Sequence, residues 1–348
     1  MFDKANVKLE VTLGSVGKVP IGDVFEFTVD VDLNQPDMCS LVLVNIKGSY
    51  SAKVKNSDSL EIKGGGKTIF KGEVLGVEPT FDYGQPSRVH IRGLNAMHKL
   101  TRGRKSTTFE KMSDKQIAEK ICQAHSLSAN FKKPPTEIKH DHVYQHNQTD
   151  LQFLRQRAAR LDCELLCEDT TLYFTQRSTS VDAAIAKLKL GDGTLERFKP
   201  RISSANQVKK VTVRGWDPVK RKEIIGKYEA SPDYGGTAGP SEAMGNTETV
   251  ETDRPVYSQE EADSLAKSLL REKQMSYVTG EAMTQGIPGL RPNTCLNLEL
   301  GDSKFDGKYY IASVRHRFVH SVAGIGGLAH REAGYRTLLR VMRDAQSG

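Results

Sequence analysis

Apolar and polar residues alternate from near the start of the chain. Val7, Leu9, Val11 and Leu13 are separated by Lys8, Glu10 and Thr12, the period of two that a half-buried strand requires. Gly14-Ser15-Val16-Gly17 ends that run. The longest alternation follows at Phe25, Phe27, Val29, Val31 and Leu33, and shorter apolar runs occupy residues 39–46, 60–63, 68–77 and 88–93. Gly64-Gly65-Gly66 reads as the hairpin turn between the fourth and fifth of these six runs. Six strands at short spacing with glycine-rich turns predict a small barrel or sandwich over residues 1–98.

The period changes over residues 99–188. Residues 101–105 read as a basic, polar link. Ser113 with Gln116 has capping-box spacing, and Ile117, Ile121 and Ala124 continue as a helical stripe. Residues 132–142, with Pro134-Pro135 and no periodicity, read as a loop. Thr149 with Gln152 opens a second helix, whose buried stripe is Leu151, Leu154, Ala158 and Leu161 and whose Arg155, Arg157 and Arg160 fall off that stripe. Glu168-Asp169-Thr170-Thr171 then turns the chain between apolar runs at 164–167 and 172–175. This section is predicted to be an α+β insert.

Residues 189–348 return to strand periodicity. Val208, Val211 and Val213 lead to Trp216, and Asp217-Pro218 turns into a strand over 223–229. Residues 231–255 are rich in Gly, Ser, Thr and Pro and read as a long mobile loop, of a length that is usually functional or disordered. Ser258 with Glu261 is a third capping box, followed by Ala262, Leu265, Ala266, Leu269 and Leu270 at helical spacing. Strands are predicted over 277–284, 294–300, 308–319 and 335–342, the last two joined by a glycine-rich tip at 324–334. Phe70-Lys71-Gly72-Glu73-Val74 in the first β region is echoed by Phe305-Asp306-Gly307-Lys308-Tyr309 in the second. The matched context of the two segments predicts two related β domains in one chain.

Composition narrows the class. With 348 residues, 37% of them hydrophobic, the chain is long enough for two or three domains with real cores. No apolar run reaches the roughly 18–20 residues of a membrane span, and no secretory leader is visible, so synthesis in the cytoplasm is expected. Cys39, Cys122, Cys163, Cys167 and Cys295 are odd in number and scattered, which argues against a disulfide framework; Cys163 and Cys167 lack a second pair for zinc. A net charge of +7 permits contact with acidic surfaces without establishing nucleic-acid binding.

Tests for chemistry return little. There is no GxSxG elbow and no phosphate loop, since Gly64–Thr68 is too short and lies between strands. His140, His142 and His146 form a spacing that could hold a divalent metal with Asp141, but a solvated loop is the favoured reading. His316 and His320 alternate with Phe318 on one strand face, and Arg315 and Arg317 occupy the other. Nothing singles out a pair of carboxylates for glycoside hydrolysis. No catalytic, cofactor-binding or metal-binding residue is assigned, and no enzyme activity is expected.

Four motifs in order resemble a known family. Tyr144, Thr149-Asp150, Phe153-Leu154, Arg157-Ala158 and Leu161-Asp162-Cys163 are similar to the central signature of the phage late control D proteins, which are tail hubs, and of the hub-like N-terminal part of VgrG spike proteins. Gln148 stands where Glu is usual, the gap after Tyr144 is longer, and Cys163 replaces a common Gly. Gly286-Ile287-Pro288-Gly289-Leu290-Arg291-Pro292-Asn293 looks like a second family element, with Asn293 in place of Gly. Phe305, Gly307 and Tyr309, then Val314 and His316, then Tyr335 and Thr337 follow in the family's order, and Val213, Gly215, Trp216, Asp217 and Pro218 resemble its strand-turn after the insert.

The resemblance implies an α+β, predominantly β fold: two related small β-barrel, tail-tube-like domains with an α+β insert between them, at 1–98, 99–188 and 189–348. It implies a structural hub of a contractile tail baseplate or type VI-like injection system, a homotrimer that adapts a hexameric tail tube to a trimeric spike. The implied partners are the tail-tube protein, a spike on a separate polypeptide and other baseplate proteins. It implies no small-molecule substrate, no stable membrane insertion, and nucleic acid only in passage through the channel. The chain would end in a virion or extracellular particle, with loops 231–256 and 321–334 as docking candidates. Asp150 and Arg157 are expected to fix caps and interfaces. The rival readings are a cell-wall hydrolase acting in penetration and a basic nucleic-acid-binding protein.

Overall fold

The computed structural model describes residues 7–83, 86–132, 137–217, 220–231, 234, 247–320 and 333–346. The first β region contains β1 (Leu9–Leu13), β2 (Gly17–Val19), β3 (Val24–Asp32), β4 (Met38–Val44), β5 (Ser59–Gly64), β6 (Lys67–Thr80) and β7 (Arg88–Leu94). The six expected strands are present, and β2 is additional. At three residues it is too short to show a period. A 3-10 turn at Ala96–Thr101 leads into the insert.

The insert comprises β8 (Lys105–Ser113), α1 (Asp114–Ala124), β9 (Ser128–Lys132), β10 (Lys139–Gln148), α2 (Asp150–Arg160), β11 (Cys163–Glu168) and β12 (Thr171–Gln176). Ser113 and Thr149 cap α1 and α2 with both halves of the expected box formed. The stretch read as a loop over 132–142 is corrected: β9 ends at Lys132, and β10 begins at Lys139 and pairs antiparallel with β8. Its buried positions are His140, Val143 and Gln145, so polar side chains occupy sites where an apolar period would have marked a strand.

The remainder contains β13 (Ala184–Lys189), β14 (Leu195–Ile202), β15 (Lys210–Asp217), β16 (Lys222–Glu229), β17 (Glu248–Glu251), α3 (Gln259–Met275), β18 (Val278–Gln285), β19 (Cys295–Glu299), β20 (Gly307–Val319) and β21 (Gly334–Arg343). Ser258 caps α3 by accepting from the Glu261 backbone N–H. The third box closes only on that side, because the Glu261 carboxylate takes the Tyr257 N–H and Arg160 instead.

The fold is α+β and predominantly β. One 13-stranded sheet runs β14-β18-β21-β20-β3-β4-β7-β6-β5-β1-β2, with β19 on β20 and β13 on β19. The repeat read from Phe70-x-Gly72 and Phe305-x-Gly307 is visible in the strand order. β3-β4-β7-β6-β5-β1 in the first half matches β14-β18-β21-β20-β19-β13 in the second, and chain order is the same in both. One strand departs: β1 is antiparallel to β5, whereas β13 is parallel to β19.

The halves join through an antiparallel ladder between β3 and β20, from Asp32 opposite Ser313 to Glu26 opposite Val319. A single apolar core runs across both, with Phe27, Leu41 and Ile91 from one half and Leu298, Ile311 and Val341 from the other. The insert has its own core. A third core lies under α3, where the β16-β15-β17 sheet packs against the helix. There the close approach needs Gly226, since a Cβ would lie 2.3 Å from the Ala262 carbonyl.

Candidate functional site

The signature of the insert resolves into apolar positions and buried charges. Phe153 and Leu154 are in the insert core, and the Phe153 ring stacks on Phe109 at 5.6 Å. Asp114 and Asp150 open their helices at the first position, where a carboxylate meets the positive end of the dipole. Arg157 reaches Asp114 across the two helices (Nη2 to Oδ2, 3.0 Å), and His140 Nε2 lies 3.0 Å from the same oxygen. Burial alone would raise the Asp114 carboxyl, but hydrogen bonding from His140 and the charge of Arg157 outweigh it and hold it below its ordinary value.

Asp150 repeats the device with other partners. Lys105 Nζ lies 2.8 Å away, His125 Nε2 2.7 Å and Gln145 Nε2 3.0 Å. Burial pushes its carboxyl up, and these three more than compensate. Both carboxylates therefore lock β8 and β10 onto the helices. His140 is enclosed in this network, while His142 and His146 are exposed on the same strand. Among the described residues no three His, Cys, Asp or Glu side chains gather to hold a metal ion.

Beside α2 lies a cleft of about 1150 Å³, walled by β10, α2 and residues 253–261. Tyr144 stands at its edge, 56% exposed. Arg160 crosses to α3, with Nη2 2.7 Å from Glu261. At its floor Arg177 pairs with Glu164 at 2.7 Å, and Asn34 accepts the Leu165 N–H at 2.8 Å. Arg271 of α3 meets Asp162 at 2.8 Å. The insert is thus fastened to both β regions by buried charge. Asn34, Glu164, Arg177 and Arg271 drew no notice in the sequence, where each is an isolated polar residue far from its partner.

The element at 286–293 braces the two halves. Leu290 is buried, Pro288 sits against Gly64, and Arg291 donates to the Thr68 carbonyl. Pro292 is also buried. Asn293 has φ of 56°, the left-handed region expected of a Gly substitute. Its side chain accepts the Ser178 N–H at 2.8 Å.

Behind this brace His316 is fully buried, with Nδ1 2.8 Å from the Tyr335 hydroxyl and 3.3 Å from that of Thr337. Burial, reinforced by the nearby Arg291 charge, lowers its pKa to about 3. The folded state therefore excludes a proton that the unfolded chain binds below about pH 6.5, so this residue removes stability as pH falls from that point toward 3. Asp37, raised to about 7 chiefly by burial, acts in the opposite direction over much of the same range. The difference between wild type and His316→Gln isolates the histidine: stability of the variant is expected to fall less steeply between pH 6.5 and 4. Urea melts across that range check it, and parallel slopes would contradict the buried neutral assignment.

The remaining signature residues separate. Phe305, Gly307 and Tyr309 form a corner in which the Tyr309 hydroxyl donates to the Phe305 carbonyl at 2.8 Å. Buried Arg343 lies over the Tyr309 ring at 4.5 Å and donates to the carbonyls of Asp306 and Lys304. Gly215 gives room to Val256, and Trp216 stands 56% exposed on the far face of the β16-β15-β17 sheet. All five cysteines are buried free thiols. Burial raises the thiols of Cys122, Cys163 and Cys167 to about 12, which leaves them protonated. Most of loops 231–256 and 321–334 lies outside the described residues. No helix among the described residues is long and apolar enough to cross a membrane.

The model of the Alg8 N-terminal domain family matches residues 49–320. Among solved structures, the chain is similar to the 43 kDa tail protein of prophage MuSo2 from Shewanella oneidensis. The two are 15% identical, with a TM-score of 0.73 over 98% of this chain and 100% of that one. A tail protein from Neisseria meningitidis MC58 gives 15% identity and a TM-score of 0.71 over 98% and 97%. An E. coli component of the type VI secretion system, described as structurally similar to bacteriophage T4 tail proteins, gives 14% and 0.63 over 97% and 76%. These likenesses establish a shared fold. No curated protein sequence matches the chain.

Proposed function

The chain belongs to the Alg8 N-terminal domain family, and we propose that it is a structural hub of a contractile tail or injection system, a homotrimer that joins tail tube to spike. The observation that carries this reading is the repeated strand order within one sheet. Inside the chain, β3 of the first repeat pairs with β20 of the second. By the equivalence of the repeats, β14 corresponds to β3 and β6 to β20. The edge of β14 away from β18, and the edge of the distal half of β6 away from β7, have no partner strand among the described residues. Pairing β14 of one copy with β6 of the next would repeat the internal ladder between chains, and three copies would present six related units around an axis. An unpaired edge is a template for such a contact.

The reading assigns no enzymatic step. The buried carboxylates at α1 and α2 are consumed by structural partners, and likeness to tail proteins supports a mechanical role. Segments 1–98, 99–188 and 189–348 serve as the units of this adaptor, with tube, spike and baseplate proteins as its partners and the assembled particle as its location. A proline in the distal half of β6, Val77→Pro, tests the edge. In the sample where wild type is trimeric, alone or with the spike, sedimentation is expected to show a lighter species while far-UV circular dichroism is retained; an unchanged mass there would contradict pairing through β6.

A further inference from the structure

The solvent side of the large sheet is divided by charge. On β14, Arg197, Lys199 and Arg201 are exposed, and the register sets them beside Met283, Glu281 and Thr279 of β18. On β21, Arg336 and Arg340 share that side, opposite Gln285 and Glu281. On β20, Arg315 and Arg317 continue it, with Arg317 opposite Arg336. Two carboxylates accompany these seven cations: Glu281, and Glu196 bound to Arg336 at 3.0 Å. Across the β3–β20 ladder the balance reverses. Glu26, Asp30 and Asp32 of β3 and Glu78 of β6 share the outward side there with Arg88 and Arg92 of β7.

Ion pairs account for part of the basic half: Arg336 with Glu196, and Arg315 with Asp30 at the border. Arg197, Lys199, Arg201 and Arg340 are exposed and make no ion pair among the described residues. Like charges packed this closely repel one another, and an anionic partner would relieve that repulsion.

We propose that the basic half of this face, carried by β14, β18, β21 and β20, holds an acidic polypeptide segment of a partner protein. Three features favour a polypeptide over nucleic acid. No exposed aromatic side chain lies among the outward positions of these strands, so base stacking has no platform. Leu338 and Met283 are interleaved with the cations and supply apolar contact. Glu281, between Lys199 and Arg340, can accept hydrogen bonds from peptide N–H groups, donors that a phosphate backbone lacks. The binding chemistry belongs to one chain's sheet and does not rest on the trimer reading.

The probe is a short fluorescent poly-L-glutamate, titrated by anisotropy into the purified full chain, with duplex DNA of matched charge beside it. Wild type is expected to bind polyglutamate more tightly than DNA, and added NaCl is expected to weaken the complex. Arg197→Glu/Lys199→Glu/Arg201→Glu/Arg340→Glu is expected to weaken it by about tenfold or more. Lys115→Glu/Lys222→Glu/Lys227→Glu alters exposed lysines elsewhere and is expected to change it little. Absence of polyglutamate binding, equal loss in both variants, or tighter binding of DNA would overturn the proposal. Mass measured on the same samples separates the two readings. A monomer that binds supports this surface without the trimer; a trimer that does not bind overturns this surface and leaves the trimer standing.

Discussion

Replacing Arg157 with alanine is expected to destabilise the protein by about 3–5 kcal/mol, the usual consequence of removing one partner from a buried ion pair. The Asp114 carboxylate would remain at the start of α1 with 7% of its side chain exposed, without the guanidinium that now holds both its oxygens. Arg155, two residues earlier, is exposed and makes no ion pair among the described residues. Arg155→Ala is therefore expected to stay within about 0.5 kcal/mol of wild type. Equilibrium urea melts of the two variants check the contrast. Equal midpoints would contradict a structural role for the Arg157–Asp114 pair and reopen it as a binding group on the cleft.

Gly72→Ala is expected to destabilise by about 2 kcal/mol or more, the range of overpacked sites with no flexible neighbour to yield. A Cβ there would lie 2.2 Å from the Leu94 carbonyl oxygen and 2.7 Å from its carbon, both backbone atoms of β7. β6 and β7 would have to part where their ladder begins, at Glu73 opposite Leu94. Gly76, on the same strand, would place a Cβ 3.9 Å from the Arg92 side chain, an ordinary contact. Gly76→Ala is expected to change stability by less than about 0.5 kcal/mol. Thermal melts of both variants distinguish strand-to-strand crowding from a general intolerance of side chains in β6.

The two glycines that revealed the repeat do different work. Gly72 admits the Leu94 backbone, whereas Gly307 has φ of 121° at the entry to β20. The sequence showed that the segments matched, but the strand order carries the repeat more fully than the five residues do. Long alternating strands such as β3 and β20 were legible because one face is buried and the other is wet. The helices were legible from Ser113, Thr149 and Ser258, each of which caps as expected.

What escaped was polar. β10 buries His140 and Gln145, and β14 exposes Arg197, Lys199, Pro200 and Arg201, so neither shows a clean apolar period. The fusion of the halves through β3 and β20 was hidden for another reason. Each strand has a complete period of its own, and a ladder between residues nearly 300 positions apart leaves no local trace. Asp150 and Arg157 were expected to fix caps and interfaces, but that Asp114 and His140 meet Arg157 could be seen only in three dimensions.

The central claim is that three chains close a ring through edges that one chain leaves open. Sedimentation velocity of the purified full-length protein over a wide concentration range, alone and with the cognate spike, tests it most directly. The account predicts a species of about 115 kDa, three chains of 38.5 kDa, in at least one of the two samples. A monomer throughout both concentration series would contradict it.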